Sequence, residues 1–568
     1  MYITRIPNRN SPPAILLRES YRDKGKVKSR TLANLSKLPP GTIEVLRRAL
    51  NGEQLVAPSE AFEVIASRHH GHVHAVLLAM RRLGFAELIA SRASRARDVV
   101  VAMVAARLLE PDSKLATTRW WHITTLPDIL GVADADENEL YDALDWLLER
   151  QERIERKLAT RHLANDALAL YDLSSSYFEG VTCPLAAFGH NRDGKKGKLQ
   201  VNYGVLTNSH GLPVAVSVFE GNTGDPTTLV SQLSKVRDQF GLARFVLVGD
   251  RGMITQKQVD VLRDIDGVEW IAALRPGAIN TLLDSGALQM DLFDERNLFE
   301  LTHPDFPGER LVACRNPELA KRRAEKRKSL LDATARELHK VRDMVQHGRL
   351  HGQDAIGVRI GKVINKYKVA KHFTLDIGER HFDFDIDQDK VAAEAALDGI
   401  YIVRTSLSAE RMNADDTVRS YKLLSQVERA FRSMKSLDIN VRPIRHRLEA
   451  RVRAHIFLCM LAYYVQWHML EAWRPLLFCD EDQQGKATRD PVAAARRSEA
   501  ALRKVHTRTL DDGTEVHSLR TLLKHLSAIV RNVCRVPDSG PDAPTFDIVT
   551  TPGAKQQRAF ELLESIHT

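Results

Sequence analysis

The stretch ALALYD, Ala167–Asp172, decides how the middle of this chain is interpreted. It is a short, unbroken apolar run that ends in a carboxylate. Such a run is typical of a β-strand that is buried on both faces and carries its acid at the carboxyl end. A second run of this kind, FVLVGDRGM (Phe245–Met253), carries Asp250 at the same place. The two runs predict a sheet in which two strands each end in an acid.

The segments around these runs complete the predicted sheet. KLQVNYGVLT and LPVAVSVFE, joined by the turn NSHG, predict a hairpin. Asp225 and Pro226 supply the N-cap and first-turn proline of a helix. A further helix and strand are predicted at Thr255–Arg263 and Glu269–Arg275. This order of elements predicts an α/β fold, a mixed sheet covered by helices.

The two aspartates are the first candidate site. A right-handed crossover would lay the Asp250 strand beside and parallel to the Asp172 strand, so both carboxylates would leave the sheet at the same end. Two adjacent carboxylates repel each other unless a cation lies between them. Oxygen ligands without cysteine or paired histidine nearby indicate Mg²⁺ or Mn²⁺. Taken alone, either aspartate could equally be a cap at the end of a strand.

A helix later in the chain carries two separate stripes. In YKLLSQVERAFRSMK (Tyr421–Lys435) an apolar stripe suited to a core lies beside a polar stripe. The apolar stripe contains Leu423, Val427, Phe431 and Met434, and the polar stripe contains Tyr421, Ser425, Glu428, Arg432 and Lys435. The polar stripe is either a solvated face with an ion pair between Glu428 and Arg432, or the source of a third carboxylate for a site with two metal ions.

Length and composition indicate two to four domains of an ordinary globular protein. The 568 residues carry a net charge of +9, which suits a polyanionic partner. Five scattered cysteines without CxxC spacing indicate a reducing cytosol, so we expect a cytoplasmic protein. The apolar segment His455–Leu477 contains charged residues and is interpreted as a buried helix, with no membrane span.

The N-terminal segment predicts a basic hairpin. AILLRES and VKSRTLANL alternate like strands on either side of the turn RDKGK. Arg22, Lys24 and Lys26 belong to a dense basic group that would suit contacts with DNA phosphates, although lysines also protect solvated edge strands. From about Ile43 to Leu163 the pattern is helical.

The number of residues between Asp250 and Glu428 exceeds what one helix and one strand require. The excess predicts an insertion at 276–398 that stands outside the sheet, with alternating strands around a long charged helix. The last hundred residues, including SLRTLLKHLSAIVRNV (Ser518–Val533), predict a small helical region.

Several of these segments, in this order, resemble the DDE transposases of bacterial insertion sequences. They are YDLSSSYFEG, GHNRDGKKGKLQVNYGVLTNSHGLPVAVSVFEGNTGD, VLVGDRGM, YIVRTS and YKLLSQVERAFRSMK. Within that family the chain is similar to the IS-four superfamily, whose third acid lies in the pattern Y-x2-R-x3-E-x6-K. Here the pattern falls on Tyr421, Leu424, Glu428 and Lys435, so leucine stands at the arginine position and Arg419, Lys422 or Arg432 could replace it.

The resemblance implies an RNase H-like catalytic core, a mixed five-stranded sheet with helices, interrupted by a β-rich insertion and preceded by a mainly helical N-terminal domain. The expected divisions are a basic hairpin at 1–42, a helical DNA-binding domain at 43–165, the core at 166–275 and 399–478, the insertion at 276–398 and a helical region at 479–568.

The resemblance also implies a function and a site. Asp172, Asp250 and Glu428 would hold two Mg²⁺ or Mn²⁺ ions that cleave DNA at the ends of the element and join it to a target. DNA contacts are expected from Tyr421, Arg432, Lys435, Arg442 and Arg445. The expected partners are the double-stranded terminal repeats, target DNA and a second copy of the chain, acting at the bacterial nucleoid. A DNA-end-binding relative without activity, and a metal-dependent nuclease without strand transfer, stay open as alternatives.

Overall fold

The structure is a computed structural model that describes residues 1–9, 11–53, 61–288, 293–537 and 539–567. The chain forms two compact units. The first contains Met1–Arg68 together with Val530–Thr550. The second contains His69–Ile529 and the C-terminal segment that begins at Thr551. Elements are numbered along the chain.

The first unit contains two three-stranded sheets, ordered β1-β2-β3 and β16-β15-β4. Strands β2 and β3 form an antiparallel hairpin whose two turn residues, Lys24 and Gly25, have φ values of 48° and 81°. Positive φ at both turn positions is the geometry that matches the twist of a hairpin. The elements are β1 (Tyr2–Ile6), β2 (Ala14–Asp23), β3 (Lys26–Asn34), α1 (Pro40–Leu50), β4 (Glu63–His69), β15 (Val530–Arg535) and β16 (Thr545–Val549).

The second unit is built on an eight-stranded mixed sheet of order β10-β11-β14-β9-β8-β5-β6-β7. Strands β5, β8 and β9 are parallel to one another, and the remaining neighbours are antiparallel. The strands are β5 (Leu168–Tyr177), β6 (Gln200–Thr207), β7 (Pro213–Glu220), β8 (Phe245–Val248), β9 (Val268–Ala273), β10 (Leu298–Leu301), β11 (Arg310–Arg315) and β14 (Ile400–Thr405).

Helices surround this sheet. The helices that precede the sheet along the chain are α2 (Gly71–Arg82), α3 (Phe85–Ile89), α4 (Arg95–Leu109), α5 (Lys114–Trp120), α6 (Leu126–Leu130), α7 (Glu137–Leu148) and α8 (Gln151–His162). Those after its first strand are α9 (Asp225–Ser234), α10 (Gln256–Arg263), α11 (Pro276–Asp284), α15 (Ala414–Lys422), α16 (Leu424–Arg432), α17 (Glu449–Ala472), α18 (Gln483–Thr488), α19 (Glu499–Thr507), α20 (Leu519–Leu526) and α21 (Ala554–Glu564).

Helix α17 is the centre of the second unit. It is buried over most of its length and packs against α4, α7 and β7. A helix that is apolar on all sides is stable only inside a core, which explains the apolar segment seen in the sequence. None of the helices that the structure describes is both long and apolar enough to cross a membrane.

The predicted domain boundaries differ from the structure at both ends of the chain. The segment 43–165 is not one helical domain, because α1 and β4 lie in the first unit while α2–α8 pack with the central sheet and α17. The segment 479–568 is not wholly helical, because α20 ends at Leu526 and β15 begins at Val530. The β-branched residues after Leu526 pair with distant strands, which a local pattern does not reveal.

The segment 276–398 is only partly an insertion. Its strands β10 and β11 extend the central sheet beyond β14, so the sheet has eight strands where five were predicted. Helix α11 packs with β11 and β14, and the residues after β11 form a separate apolar core that includes Leu338, Ile356 and Phe382. Its elements are α12 (Pro317–Gln346), α13 (Gln353–Ile364), β12 (Phe373–Ile377), β13 (Phe382–Ile386) and α14 (Gln388–Ala395).

Candidate active site

The register of β5 and β8 places the two aspartates at the same level. The parallel pairing ends with Leu170 opposite Val248, and each acid stands two residues further along its strand direction. Asp172 does not end its strand as predicted, because β5 continues to Tyr177 and pairs there with β6. The acid is therefore held in the middle of a strand, beside the point where its parallel neighbour stops.

A tight turn after β8 holds Asp250. Its Oδ1 accepts hydrogen bonds from the backbone N–H groups of Gly252 at 3.0 Å and Met253 at 2.8 Å. A Cβ added to Gly252 would lie 3.3 Å from Oδ2 of Asp250, so a side chain there would press on the carboxylate. The turn fixes the carboxylate and leaves little room for a side chain at Gly252.

Asp172 lies in a half-buried, acidic environment. Burial, and next the negative charge of Asp250, raise the pKa of Asp172 to about 7. The backbone N–H of Leu173, 2.8 Å from its Oδ1, and the guanidinium of Arg192 lower the pKa, whereas Glu428 raises it. Asp172 thus experiences the charge of both other predicted acids.

Tyr421 experiences the same three charges. Burial raises the pKa of its hydroxyl to about 12, and the negative charges of Asp250, Glu428 and Asp172 contribute to the rise. A phenol in this environment keeps its proton at neutral pH. The structure therefore brings Tyr421 and the three predicted acids into one electrostatic neighbourhood.

Glu428 reaches this neighbourhood from α16. Its side chain is exposed, while Val427 and Phe431 on the same helix are buried. The Phe431 ring lies 5.7 Å from the ring of Tyr203 on β6, measured between centroids, and so packs the helix on the sheet. A plain surface helix would carry an ion pair between Glu428 and Arg432. Among the described residues, no such ion pair is found.

The predicted helix Tyr421–Lys435 is interrupted. Helix α15 ends at Lys422 and α16 begins at Leu424, and a wider turn follows at Ser433–Leu437. Leu423 is half-buried, and Leu424 takes its place in the core. The position where the pattern has arginine is therefore occupied by a packed leucine.

The three residues proposed to replace that arginine have different environments. Arg419 pairs with Asp416 and donates to the carbonyl oxygen of Arg489, and Lys422 donates to that of Pro491. Arg432 is exposed and has no ion pair within the described part of the chain. Arg432 is the one of the three that is free to meet a ligand.

The donor set fits a hard divalent cation in chemistry. Carboxylate oxygens are the ligands that Mg²⁺ and Mn²⁺ prefer, and burial together with the charge of Asp250 raises the pKa of Asp172, a cost that a cation would offset. Within residues 1–9, 11–53, 61–288, 293–537 and 539–567, no three His, Cys, Asp or Glu side chains converge as metal ligands. The charges of Asp250 and Glu428 both act on Asp172.

Lys435 and Arg442 do not project freely, as DNA contacts were expected to do. The nearly fully buried carboxylate of Asp193 accepts a hydrogen bond from Lys435 Nζ at 3.0 Å and pairs with Arg442. Asp193 also accepts the backbone N–H of Tyr177, at the end of β5, at 3.0 Å. Sequence reasoning missed Asp193, and the only signal for it is an acid inside the basic loop GHNRDGKKGK.

Arg192, in the same loop, was missed as well. It pairs with Asp225 at the start of α9 and lowers the pKa of Asp172. Its Nη1 is buried and has no hydrogen-bond partner among the described residues. The guanidinium of Arg192 therefore places a positive charge and one unused hydrogen-bond donor near Asp172.

The remaining predicted DNA contacts are exposed. Arg445 has no ion pair in the described part of the chain, and it stands between α16 and α17. Arg22, Lys24 and Lys26 surround the turn of the first-unit hairpin. Lys28 and Arg30 of the same hairpin are paired, with Asp23 at 2.6 Å and Glu19 at 2.7 Å.

Comparisons with known proteins identify the family of this chain. Residues 180–465, just over half of the chain, match the family model described as a transposase DDE domain. Residues 3–60 match the N-terminal domain of the IS1634 family of transposases. No curated protein matches the chain.

Among solved structures, the chain is similar to a piggyBac transposase in the cryo-EM structure of its synaptic complex with hairpin DNA. The identity is 9%, the TM-score is 0.33, and the match covers 80% of this chain and 77% of that one. The family predicted from the sequence is confirmed by the matched family models. The chain belongs to the DDE transposases of bacterial insertion sequences.

Proposed function

We propose that this transposase binds the ends of its insertion sequence, cleaves DNA there and joins the cleaved end to a target. One observation carries the proposal. Two carboxylates are level on adjacent parallel strands, and the charge of a third, carried by a helix that packs on the same sheet, acts on the first of them. The order β7-β6-β5-β8-β9 within the sheet supports an RNase H-like core.

Asp172, Asp250 and Glu428 are the proposed holders of divalent cations, Mg²⁺ or Mn²⁺. When bound, such cations would activate an attacking hydroxyl and stabilise charge on the leaving oxygen. The acids must be ionised to serve as ligands, so Asp172 has to release the proton that its environment favours. Tyr421 keeps its proton at neutral pH, and its hydroxyl is the proposed hydrogen-bond donor to a phosphate oxygen.

Two phosphoryl transfers account for the proposed activity. In the first, the oxygen of water bonds to phosphorus, and the 3′-oxygen of the element end leaves as a hydroxyl. In the second, that 3′-hydroxyl attacks a phosphodiester of the target, loses its proton to solvent, and displaces a 3′-oxygen of the target strand. Neither step needs an oxidant or an energy source, because the reactants are water and DNA. Two DNA ends would require two copies of the chain, so a homodimer is part of the proposal.

The direct test uses purified protein, DNA carrying the element ends, Mg²⁺ and a target plasmid. We expect cleaved ends and joined products, both abolished by a chelator. Cleavage without joining would identify a nuclease that lacks strand transfer. Binding of ends without either product would identify an end-binding relative.

We propose that the first-unit hairpin binds the DNA at the ends of the element. Arg22→Gln, Lys24→Gln and Lys26→Gln together remove three exposed charges around the turn. Each lost phosphate contact should reduce the slope of log K against log salt by about 0.9. Fluorescence anisotropy with terminal DNA at several salt concentrations measures that slope.

The matched control is the double change Lys28→Gln and Arg30→Gln. These side chains already pair with Asp23 and Glu19 on the same hairpin, so their loss should change the slope less. An equal effect of both variants, or no effect of the first, would exclude the turn as a DNA contact.

Asp172→Asn should stabilise the metal-free protein at high pH. The folded protein raises the pKa of Asp172 from 3.8 to about 7, so it binds more protons than the unfolded chain between those values. Stability from this group is therefore lost as pH rises from about 4 to about 7. Asparagine keeps the acceptor for the Leu173 N–H and carries no charge. The unfolding temperature of the variant in EDTA should exceed that of the wild type above pH 7 and converge with it near pH 4.

Asp264→Asn, at an exposed carboxylate after α10, provides the control and should leave the pH profile unchanged. A lower unfolding temperature of Asp172→Asn at pH 8 in EDTA would show that Asp172 is held by favourable contacts rather than by repulsion.

A further inference from the structure

A cavity of about 410 Å³ lies beside the segment that joins α16 to α17. One wall comes from the end of α4 and the start of α5, through Arg107 and Lys114. The opposite wall comes from Arg442, Arg445 and other residues of the α16–α17 connection. Residues that are far apart in the sequence therefore place four cationic side chains around one cavity.

Lys114 is the unusual member of this group. It is only 4% exposed, and no residue in the described part of the chain accepts a hydrogen bond from its ammonium or forms an ion pair with it. Burial, followed by the charge of Arg107, lowers the pKa of Lys114 to about 7. Burying a cation without a partner costs free energy, so an anion in the cavity would relieve the cost.

Two other lysines whose side chains are mostly covered show the usual arrangement. Lys504 pairs with Glu481, and Lys235 pairs with Glu155 at 2.9 Å. Both satisfy the rule that a buried charge has an opposite charge beside it. Lys114 lines the cavity and, among the described residues, has no opposite charge paired with it.

The other groups around the cavity favour an anion as well. Arg107, 6% exposed, donates to the backbone carbonyl of Asp112 at 3.0 Å rather than to a carboxylate. Arg445 is exposed at the cavity and has no ion pair among the described residues, and Arg442 shares Asp193 with Lys435. Asp112 contributes the single lining carboxylate, which is exposed and accepts the N–H of Ser113 at 2.6 Å.

We propose that this cavity is a binding site for a phosphate group of the DNA backbone, with Lys114 and Arg107 at its floor and Arg445 at its edge. The inference rests on the proposed function, because it takes DNA as the source of the phosphate. Lysine and arginine bind phosphate oxygens through charge-assisted hydrogen bonds, which position DNA without reading its sequence. Asp193 links the cavity to the candidate active site, since it holds both Arg442, which lines the cavity, and Lys435, which follows Glu428.

Lys114→Met tests the site, because methionine keeps the unbranched shape and removes the charge. In chloride, we expect an unfolding temperature equal to or above that of the wild type, since an unpaired buried charge is lost. Inorganic phosphate at equal ionic strength should raise the unfolding temperature of the wild type more than that of the variant. Binding of terminal DNA should weaken by about tenfold, and its salt slope should fall by about 0.9.

Two further variants complete the test. Lys504→Met removes a buried lysine that has a carboxylate partner, so it should lower stability in chloride but keep the full effect of phosphate. Arg445→Gln changes an exposed side chain, so it reports on the site even if Lys114→Met does not fold. It should reduce both the phosphate effect and the salt slope.

Equal stabilisation of wild type and both cavity variants by phosphate, with unchanged DNA binding, would overturn the proposal. A lost phosphate effect with an unchanged DNA slope would assign the cavity to a free anion and overturn the assignment to DNA. Cleavage and joining are measured separately, so a failure of the proposed enzyme function leaves the phosphate measurement to decide this site on its own.

Discussion

Glu428→Gln should reduce DNA cleavage and strand transfer by about three orders of magnitude while the protein folds normally. The carboxylate is exposed on α16, so the fold does not depend on it, and it lies in the electrostatic neighbourhood of both aspartates. Glutamine keeps the shape and removes the charge that would help to hold a cation. A loss of this size corresponds to about 4 kcal/mol of transition-state stabilisation. Single-turnover cleavage of end DNA in Mg²⁺ measures it, and binding of the same DNA should persist.

Two changes on the same helix separate chemistry from folding. Arg429→Gln alters an exposed neighbour of Glu428 and should leave cleavage within a small factor of wild type. Phe431→Ala removes a ring that is 5% exposed and should cost about 3 to 5 kcal/mol of unfolding free energy. Near-normal cleavage by Glu428→Gln together with normal stability of Phe431→Ala would mean that the two faces of the helix have been assigned the wrong way round.

The first strand shows what the sequence could and could not reveal about the site. The apolar run before Asp172 and the run before Asp250 were enough to predict two buried strands, because strands buried on both faces are continuously apolar. The continuation of β5 was not predicted, since Leu173–Tyr177 contains three consecutive serines. These serines are buried, and Ser176 Oγ lies 2.9 Å from the hydroxyl of Tyr203 on β6. The local sequence does not show that another strand will supply a hydrogen-bond partner for a buried hydroxyl.

The extra strands of the sheet were missed for a related reason. Strand β11 enters the sheet with Glu309 just before it, and this fully buried carboxylate pairs with Arg404 and Arg263. Length alone indicated that something was inserted between Asp250 and Glu428, but not which part of it rejoins the sheet. The deciding contacts connect residues that are far apart in sequence, and they carry no local periodicity.

The hairpin of the first unit was easier to predict. Alternating strands on either side of Lys24 and Gly25 are a local signal, and the turn supplies the positive φ that such hairpins need. The sequence could not show which of its basic residues are paired. Ion pairs across the hairpin hold Lys28 and Arg30, so the charges available to a ligand are those around the turn.

Asp193 explains why two predicted DNA contacts, Lys435 and Arg442, are engaged in ion pairs within the protein. Its carboxylate is only 2% exposed, pairs with Lys435 and Arg442, and accepts the N–H of Tyr177. The loop that carries it therefore ties the end of β5 to the segment after α16. Lys435 and Arg442 are held in place by this carboxylate.

Asp193→Asn should cost about 3 to 5 kcal/mol of unfolding free energy, since removing one partner of a buried ion pair leaves the other charges uncompensated. Urea denaturation of the metal-free protein measures the loss. The double variant Asp193→Asn with Lys435→Met should recover part of the lost unfolding free energy. In that variant only one of the two cations that paired with Asp193 remains without its partner. Asp225→Asn is the matched control, since its carboxylate pairs with Arg192 of the same loop and is more exposed. That control should cost less, because solvent replaces part of the lost interaction. Equal stability of Asp193→Asn and wild type would mean that Lys435 and Arg442 do not depend on this carboxylate, and they would then be free to contact DNA directly.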